Sequence, residues 1–403
     1  MAFATGVAKQ LIYKAESTWG TLAGASGAQR LRRVTSTLSL KKQTYESNEI
    51  VDHYQVADMR HGVRSVEGSI SGELSPGTWE DFFAAVVRKA FAAVTALTGL
   101  SLTIATSSTN YTITRGSGSF LTDGVKAGDV VRLTAGSLNA ANLNKNAIVL
   151  SVTALIATVY VLNGLAMTAE GPIASCTMTV VGKKAYTPTS GHTDPSFTIE
   201  HYHSDITKSM AFTGCKINSL AIQLPPTGIS TVEFGMMGKD VTSTSSAYFT
   251  TPTAATTTGV VAAVNGVVTL NGVKVATITG LSINVAGGMS AVPVVGSNSY
   301  SDIAEGRVRV TGQITALFED LTYYDLFDAE TEFAIAAAFT TASTAAADFV
   351  SFVMPRVKLG SASIDDGEKN LTQTLAFTAL YNSAGGAGIS SEQSTLVIQD
   401  SQA

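Results

Sequence analysis

One stretch of this chain returns at a fixed spacing, and that return limits the possible folds more than any other feature. Val66, Gly68 and Ile70, followed by Thr78, Trp79, Asp81 and Phe83, come back 244 residues later as Val310, Gly312, Ile314, Thr322, Tyr323, Asp325 and Phe327. One offset holds through a strand-like run, a turn and a helix start. The 403 residues therefore hold two copies of one supersecondary unit.

The unit is legible in physical terms. Val66, Gly68, Ile70, Gly72 and Leu74 alternate with Glu67, Ser69, Ser71 and Glu73, the pattern of a half-buried strand. Thr78 three residues before Asp81, and Thr322 three before Asp325, predict helix N-caps with an acid in the first turn. Trp79, Phe82 and Phe83, or Tyr323, Leu326 and Phe327, give that helix an apolar face. A second similar pair closes each half. Met210-Ala211-Phe212 leads through Lys216 and Ile217 to a turn at Pro225–Gly228 and the strand Thr231–Phe234. Phe349–Phe352 leads through Arg356 and Val357 to a turn at Asp365–Gly367 and the strand Thr374–Phe377. Each half reads as strand, long loop, strand, helix, hairpin.

About a hundred residues separate Ala92 from Phe197, where the other half needs about a dozen, far beyond an ordinary loop. The extra piece, 95–184, carries strands near Thr109–Thr114, Asp129–Thr134, Ala147–Thr153 and Ala157–Leu162, with a turn at Gly124 and Gly128, and reads as an inserted small β-domain. Its net charge is +3 against −5 for the chain, leaving −8 elsewhere. Charged residues make up only 14% while hydrophobic residues reach 45%. That composition excludes disorder for the bulk of the chain and suggests much uncharged surface covered by copies of itself.

Chemical motifs are sparse. Arg115–Ser119 lacks the third glycine and the lysine of a phosphate cradle, and there is no zinc-protease or nucleophile-elbow pattern. His201 and His203 share a strand face, with His192 or Asp205 nearby in sequence, but no spacing fixes a metal set. Asp365-Asp366-Gly367-Glu368 lacks calcium-loop alternation and reads as a turn. Cys176 and Cys215 read as buried reduced thiols. The uncharged run Ala147–Ala169 is broken by Ser151, Thr153, Thr158 and Asn163-Gly164, which favours two strands over a membrane span. Arg30, Arg32, Arg33, Lys41 and Lys42 read as a subunit-contact or solvated face. No enzyme constellation, cofactor or metal is expected. An extracellular adhesin or carbohydrate-binding β-protein is the competing reading, and it would need export that Met1–Gln10 does not announce.

The opening Ala4-Thr5-Gly6-Val7, then Gln10–Thr21 with its Leu11-Ile12-Tyr13-Lys14-Ala15-Glu16-Ser17-Thr18-Trp19-Gly20-Thr21, resembles that of phage tail tube proteins from long non-contractile (siphovirus) tails. So does the strand end Gly72-Glu73-Leu74-Ser75-Pro76, and the stretch Gly124–Val131 is similar to small β-domains that decorate tail proteins. The resemblance implies a mainly β chain: two tandem tail-tube β-sandwich/barrel domains, each with a flanking α-helix, plus the inserted β-domain. The expected division is 1–94 with 185–258, an outward-facing insert 95–184, 259–385, and a C-terminal tail 386–403. It further implies a virion protein assembled in the host cytoplasm, with stacked rings as a conduit for DNA ejection. Partners would be its own copies, a tape measure protein and tail tip or terminator proteins, with DNA only in transit and no membrane insertion. With two tube domains per chain, a homotrimer suffices for a pseudo-hexameric ring. The long loops Tyr45–Arg60 and Gly287–Glu305 are expected to stack rings, with Tyr45, Glu46, Glu49, Asp52, His53, Tyr54, Asp58, Arg60, Tyr300, Asp302 and Glu305 as candidates. Glu67, Glu73, Arg307 and Arg309 are candidates for the lumen or a subunit seam, and the lumen is expected to be acidic on balance.

Overall fold

The computed structural model describes residues 3–383 and 391–403. In the first half lie β1 (Lys9–Ala15), β2 (Ser26–Arg30), β3 (Ser39–Glu46), β4 (Met59–Glu73) and α1 (Glu80–Val87). The insert contributes β5 (Leu97–Ser107), β6 (Asn110–Arg115), β7 (Val130–Ala135), β8 (Ala147–Val152), β9 (Ile156–Val161) and β10 (Glu170–Val180). The first half resumes with β11 (Lys183–Tyr186), β12 (Phe197–His203), β13 (Lys208–Leu224) and β14 (Thr231–Gly238). The second half has β15 (Gly266–Leu270), β16 (Ile278–Ala286), β17 (Arg309–Leu317), α2 (Thr322–Asp328), β18 (Phe333–Thr340), β19 (Phe349–Ile364), β20 (Thr372–Ala379) and β21 (Val397–Asp400). No helix among the described residues is long and apolar enough to cross a membrane.

In each half two sheets enclose one core, and a single long strand serves both. The front of β13 pairs with β12, Phe212 opposite Ile199, and its rear pairs with β14, Leu220 opposite Phe234. β19 repeats this with β18 and β20. The ladder then runs on through the molecule, in the order β3–β4–β14–β13–β16–β17–β20–β19. Strand alternation gives this sheet two unlike faces. Val66, Ile70, Phe234, Ile222, Ile283, Ile314 and Phe377 point into the shared core, while Glu67, Glu73, Glu233, Gln223, Ser282 and Gln313 point away from it. The recurring glycine has a steric reason in both halves. A Cβ on Gly68, at φ +149, would lie 2.7 Å from the Thr37 backbone, and one on Gly312 would lie 2.3 Å from the Ser282 carbonyl.

α1 seals the first core. Trp79 stacks on Phe234 with centroids 5.3 Å apart, and Phe82 meets Tyr13, Phe197 and Phe234 at 5.0–5.4 Å. Phe83 reaches Phe352 of the second half. The expected caps are not made. α1 starts after Trp79 without a side-chain cap, and the Thr78 hydroxyl binds Ser75 and Thr256 instead. At α2, Asp320 rather than Thr322 accepts the free N–H, that of Thr322 itself, so the helix begins two residues earlier than the repeat implies. Tyr323, Leu326 and Phe327 are only half-buried.

The insert's β5–β10 close into a barrel in the order β9–β6–β5–β10–β7–β8. The four expected strands lie within one residue of β6–β9, while β5 and β10 are added by the structure, although Leu100, Leu102 and Ile104, and Cys176, Met178 and Val180, alternate with polar or small residues. Val130, Ile148, Leu150 and Leu162 pack on Ala336, Ala338, Phe349 and Val353. β18 is therefore buried on both faces, its alternate residues Ile335, Ala337 and Phe339 belonging to the main core. Gln399 locks this contact by accepting the Val130 N–H and donating to the Val130 and Val181 carbonyls. Residues 386–390 of the expected tail, and 384–385 before it, lie outside the described residues. Its end is β21, a buried strand inserted between β11 and β19. The closing hairpins also align differently from the sequence similarity. Phe234 faces Ile70 and Leu375 faces Ile314, so Phe234 corresponds to Leu375, two residues before Phe377.

Candidate self-assembly surfaces

The join between the halves shows how one such unit accepts the next. Ser219–Leu224 of β13 pair antiparallel with Leu281–Ala286 of β16, Ile222 opposite Ile283 and Leu220 opposite Val285. Both ends of the eight-strand sheet are the same edges without a neighbour among the described residues. Ladder positions make Ala362 and Ile364 of β19 the counterparts of Leu220 and Ile222. They make Leu40 of β3, with Leu38 just before that strand, the counterparts of Val285 and Ile283. Ile222 is 0% exposed under its neighbour, whereas Ile364 is 39% exposed. Asp365 donates its N–H to Thr372, so by antiparallel alternation Ala362 and Ile364 turn their backbone groups to the open edge.

The loop Gly287–Glu305 does not stand free. Arg88, left-handed at the end of α1, donates to the Gly306 and Gly287 carbonyls at 2.8 and 2.9 Å and pairs with Glu305 at 3.2 Å. Burial pushes the Glu305 carboxyl pKa up against the opposing pull of Arg88. Lys216 is buried beneath the loop, paired with Asp194, donating to the Ile303 carbonyl at 3.0 Å and 3.6 Å from Asp302. Asn218 receives the Gly287 and Met289 N–H groups, and the Asn298 carbonyl reaches the Arg64 N–H. The loop thus reaches from the middle of β13, at Lys216–Asn218, to Arg64 of β4. Tyr300 is half-buried, while Val294 and Val295 remain out at the rim.

The other loop is bare. Tyr45 and Glu46 fall in β3 and Arg60 in β4, where Arg60 pairs with Asp58 at 2.6 Å. Between the strands Glu49, Asp52, His53 and Tyr54 are all exposed, and Ile50 and Tyr54 are fully so. β4 and β17 run in the same direction, so both loops leave the same end of the sheet. At that end, across the tips of β17 and β20, lies a cavity of about 800 Å³ lined by Arg307, Val308, Arg309, Leu380 and Tyr381, with Arg88 and His192 behind. Arg307 and Arg309 are exposed.

Glu67, Glu73 and Arg309 all lie on the open sheet face, joined by Glu233 and Lys41, while Arg307 precedes β17 at the rim. Hydroxyl and amide side chains make up most of that face. His201 is held in the sheet: burial drives its pKa down to about 3, and its Nε2 meets the Ser36 hydroxyl at 2.8 Å. The sequence missed the seam strands as assembly elements, although the shared alternation of Ile222 and Ile283 was its signal.

A family model described as phage tail tube protein matches residues 6–200 and again 192–379. No curated protein matches the chain. The two matches meet at residues 192–200, around the start of β12 and so within the first half, and together they span most of the chain, which belongs to the phage tail tube protein family.

Proposed function

We propose that three copies of this structural tail protein close into a pseudo-hexameric ring, β19 of each chain pairing with the Leu38–Lys41 edge of the next. The observation that carries this is the β13–β16 seam, which already joins two units in the register the open edges require. α2 supports it: α1 is buried between two halves, and α2, at the outer edge, has its apolar side half-covered. The open sheet face then lines the bore, and the insert, on the opposite side of the core, points outward. Rings stack through the rim that carries both loops, giving a siphovirus tube through which DNA leaves. A tape measure protein fills the bore during assembly in the host cytoplasm, and terminator and tip proteins cap the ends. The role is structural rather than enzymatic.

Electron microscopy and native mass of the purified protein test this. Wild type should give rings of three 41.7 kDa chains, or tubes built from them. Ile364→Lys and Ala362→Pro, which charge the edge or remove its N–H, should leave soluble monomer. Rings of six chains, or rings from either variant, would refute the assignment.

A further inference from the structure

The two halves carry the same lysine–carboxylate pair in different states. Lys216 with Asp194 in the first half corresponds to Lys358 with Glu330 in the second, each lysine four residues before its seam residue, Leu220 or Ala362. Lys216 is 3% exposed because the chain's own Gly287–Glu305 loop covers it, whereas Lys358 is 39% exposed. The counterpart of that loop is Ser47–Asp58, and within one chain it lies at the far edge of the sheet. From the first half of a neighbouring copy, it would emerge beside β19.

We propose that Ser47–Asp58 of one chain docks across the ends of β19, β20 and β17 of the adjacent chain in the same ring, entering the cavity beside Arg307, Arg309 and Tyr381. This rests on the ring reading above and names the lateral partner of a loop otherwise assigned only to stacking. Charge favours it: Glu49 and Asp52 stand exposed on the loop, and Arg307 and Arg309, with half-buried Lys358, on the receiving side. Apolar surface matches too, with Ile50, Tyr54 and Val56 exposed on the loop and Val308, Leu380 and Tyr381 in the cavity. The reach is sufficient. Half of the loop's twelve residues, at ~3.3 Å each, spans ~20 Å, against ~15 Å for three strand spacings. The intrachain loop makes the same crossing, from Asn218 to Arg64.

The test uses the full chain. Glu49→Lys with Asp52→Lys, and separately Arg307→Glu with Arg309→Glu, should each raise the protein concentration needed for rings by about tenfold or more. Combining the four substitutions should restore rings. As an independent readout, Tyr54→Cys with Tyr381→Cys, cross-linked by a short bismaleimide, should give covalent trimers in isolated, unstacked rings; the native cysteines are buried. Unchanged ring formation in both reversed variants would overturn the proposal. So would cross-links that appear only in stacked tubes, which would place the loop on the next ring. If wild type forms neither rings nor tubes, the ring reading itself fails, and this inference with it.

Discussion

Lys184 sits where the insert, the first half and the chain's end meet, its ammonium 3.2 Å from carboxylates of Asp129 and Glu392. Burial alone would lower its pKa, but the two carboxylates outweigh burial and hold it above the usual lysine value. Removing the cation leaves Asp129 buried and uncompensated. Lys184→Met should therefore cost about 3–5 kcal/mol in urea unfolding, and adding Asp129→Asn should recover part of it. Asp400 is a different case. It accepts the Gly77 and Gln402 N–H groups at 2.8 Å, yet burial raises its pKa from 3.8 to about 6. The folded state then holds its proton more tightly than the unfolded state does. Its contribution is greatest below pH 3.8 and is lost as pH rises to about 6, a change of about 3 kcal/mol. Wild type should lose stability relative to Asp400→Asn across that window; parallel unfolding curves from pH 4 to pH 7 would contradict it.

At the scale of elements, the insert is both a separate barrel and a lid. Its sheet covers Phe349 and Val353, each worth roughly 1.5–3 kcal/mol of burial, so simple excision exposes an apolar patch. The cut must also spare β11, which pairs with β21 and carries Lys184. Replacing residues 97–180 by a short linker should give aggregating protein. The same replacement with Phe349→Thr and Val353→Thr should give soluble chains that form thinner tubes, as seen by negative-stain microscopy. If the insert instead lines the bore, this variant would widen the lumen. The duplication and alternating strands of both halves were readable in the sequence because a two-residue period exposes its buried face directly. The helix caps were not, since Thr78 is taken up by Ser75, three residues before it, and by Thr256, which comes from a distant part of the chain.

For the whole molecule, the acid excess outside the insert does not gather on the open sheet face. That face holds Glu67, Glu73 and Glu233 against Lys41 and Arg309, set among Ser, Thr, Asn and Gln. A bore lined this way offers phosphates mild repulsion and exchangeable hydrogen bonds rather than a clamp. Glu67→Lys with Glu73→Lys and Glu233→Lys should leave tubes intact but make them retain DNA in low-salt co-sedimentation, with retention lost as salt rises. Tubes that bind DNA no better than wild type would argue that this face does not line the bore.

The sequence by itself determined the two β units, four of the six inserted strands, the helix face that seals the first core and the family of the chain. These are local patterns, set by alternation, glycine placement and repeat spacing. Only the tertiary structure decided that the halves share one sheet, that β21 stitches the chain's end into the core, and that one long loop is clamped while its counterpart stands bare. Each depends on which distant strands meet and in what register. Leu220 and Ala362 read alike as inward strand residues, and only the presence of β16 beside one, with no described strand beside the other, makes them a seam and an edge.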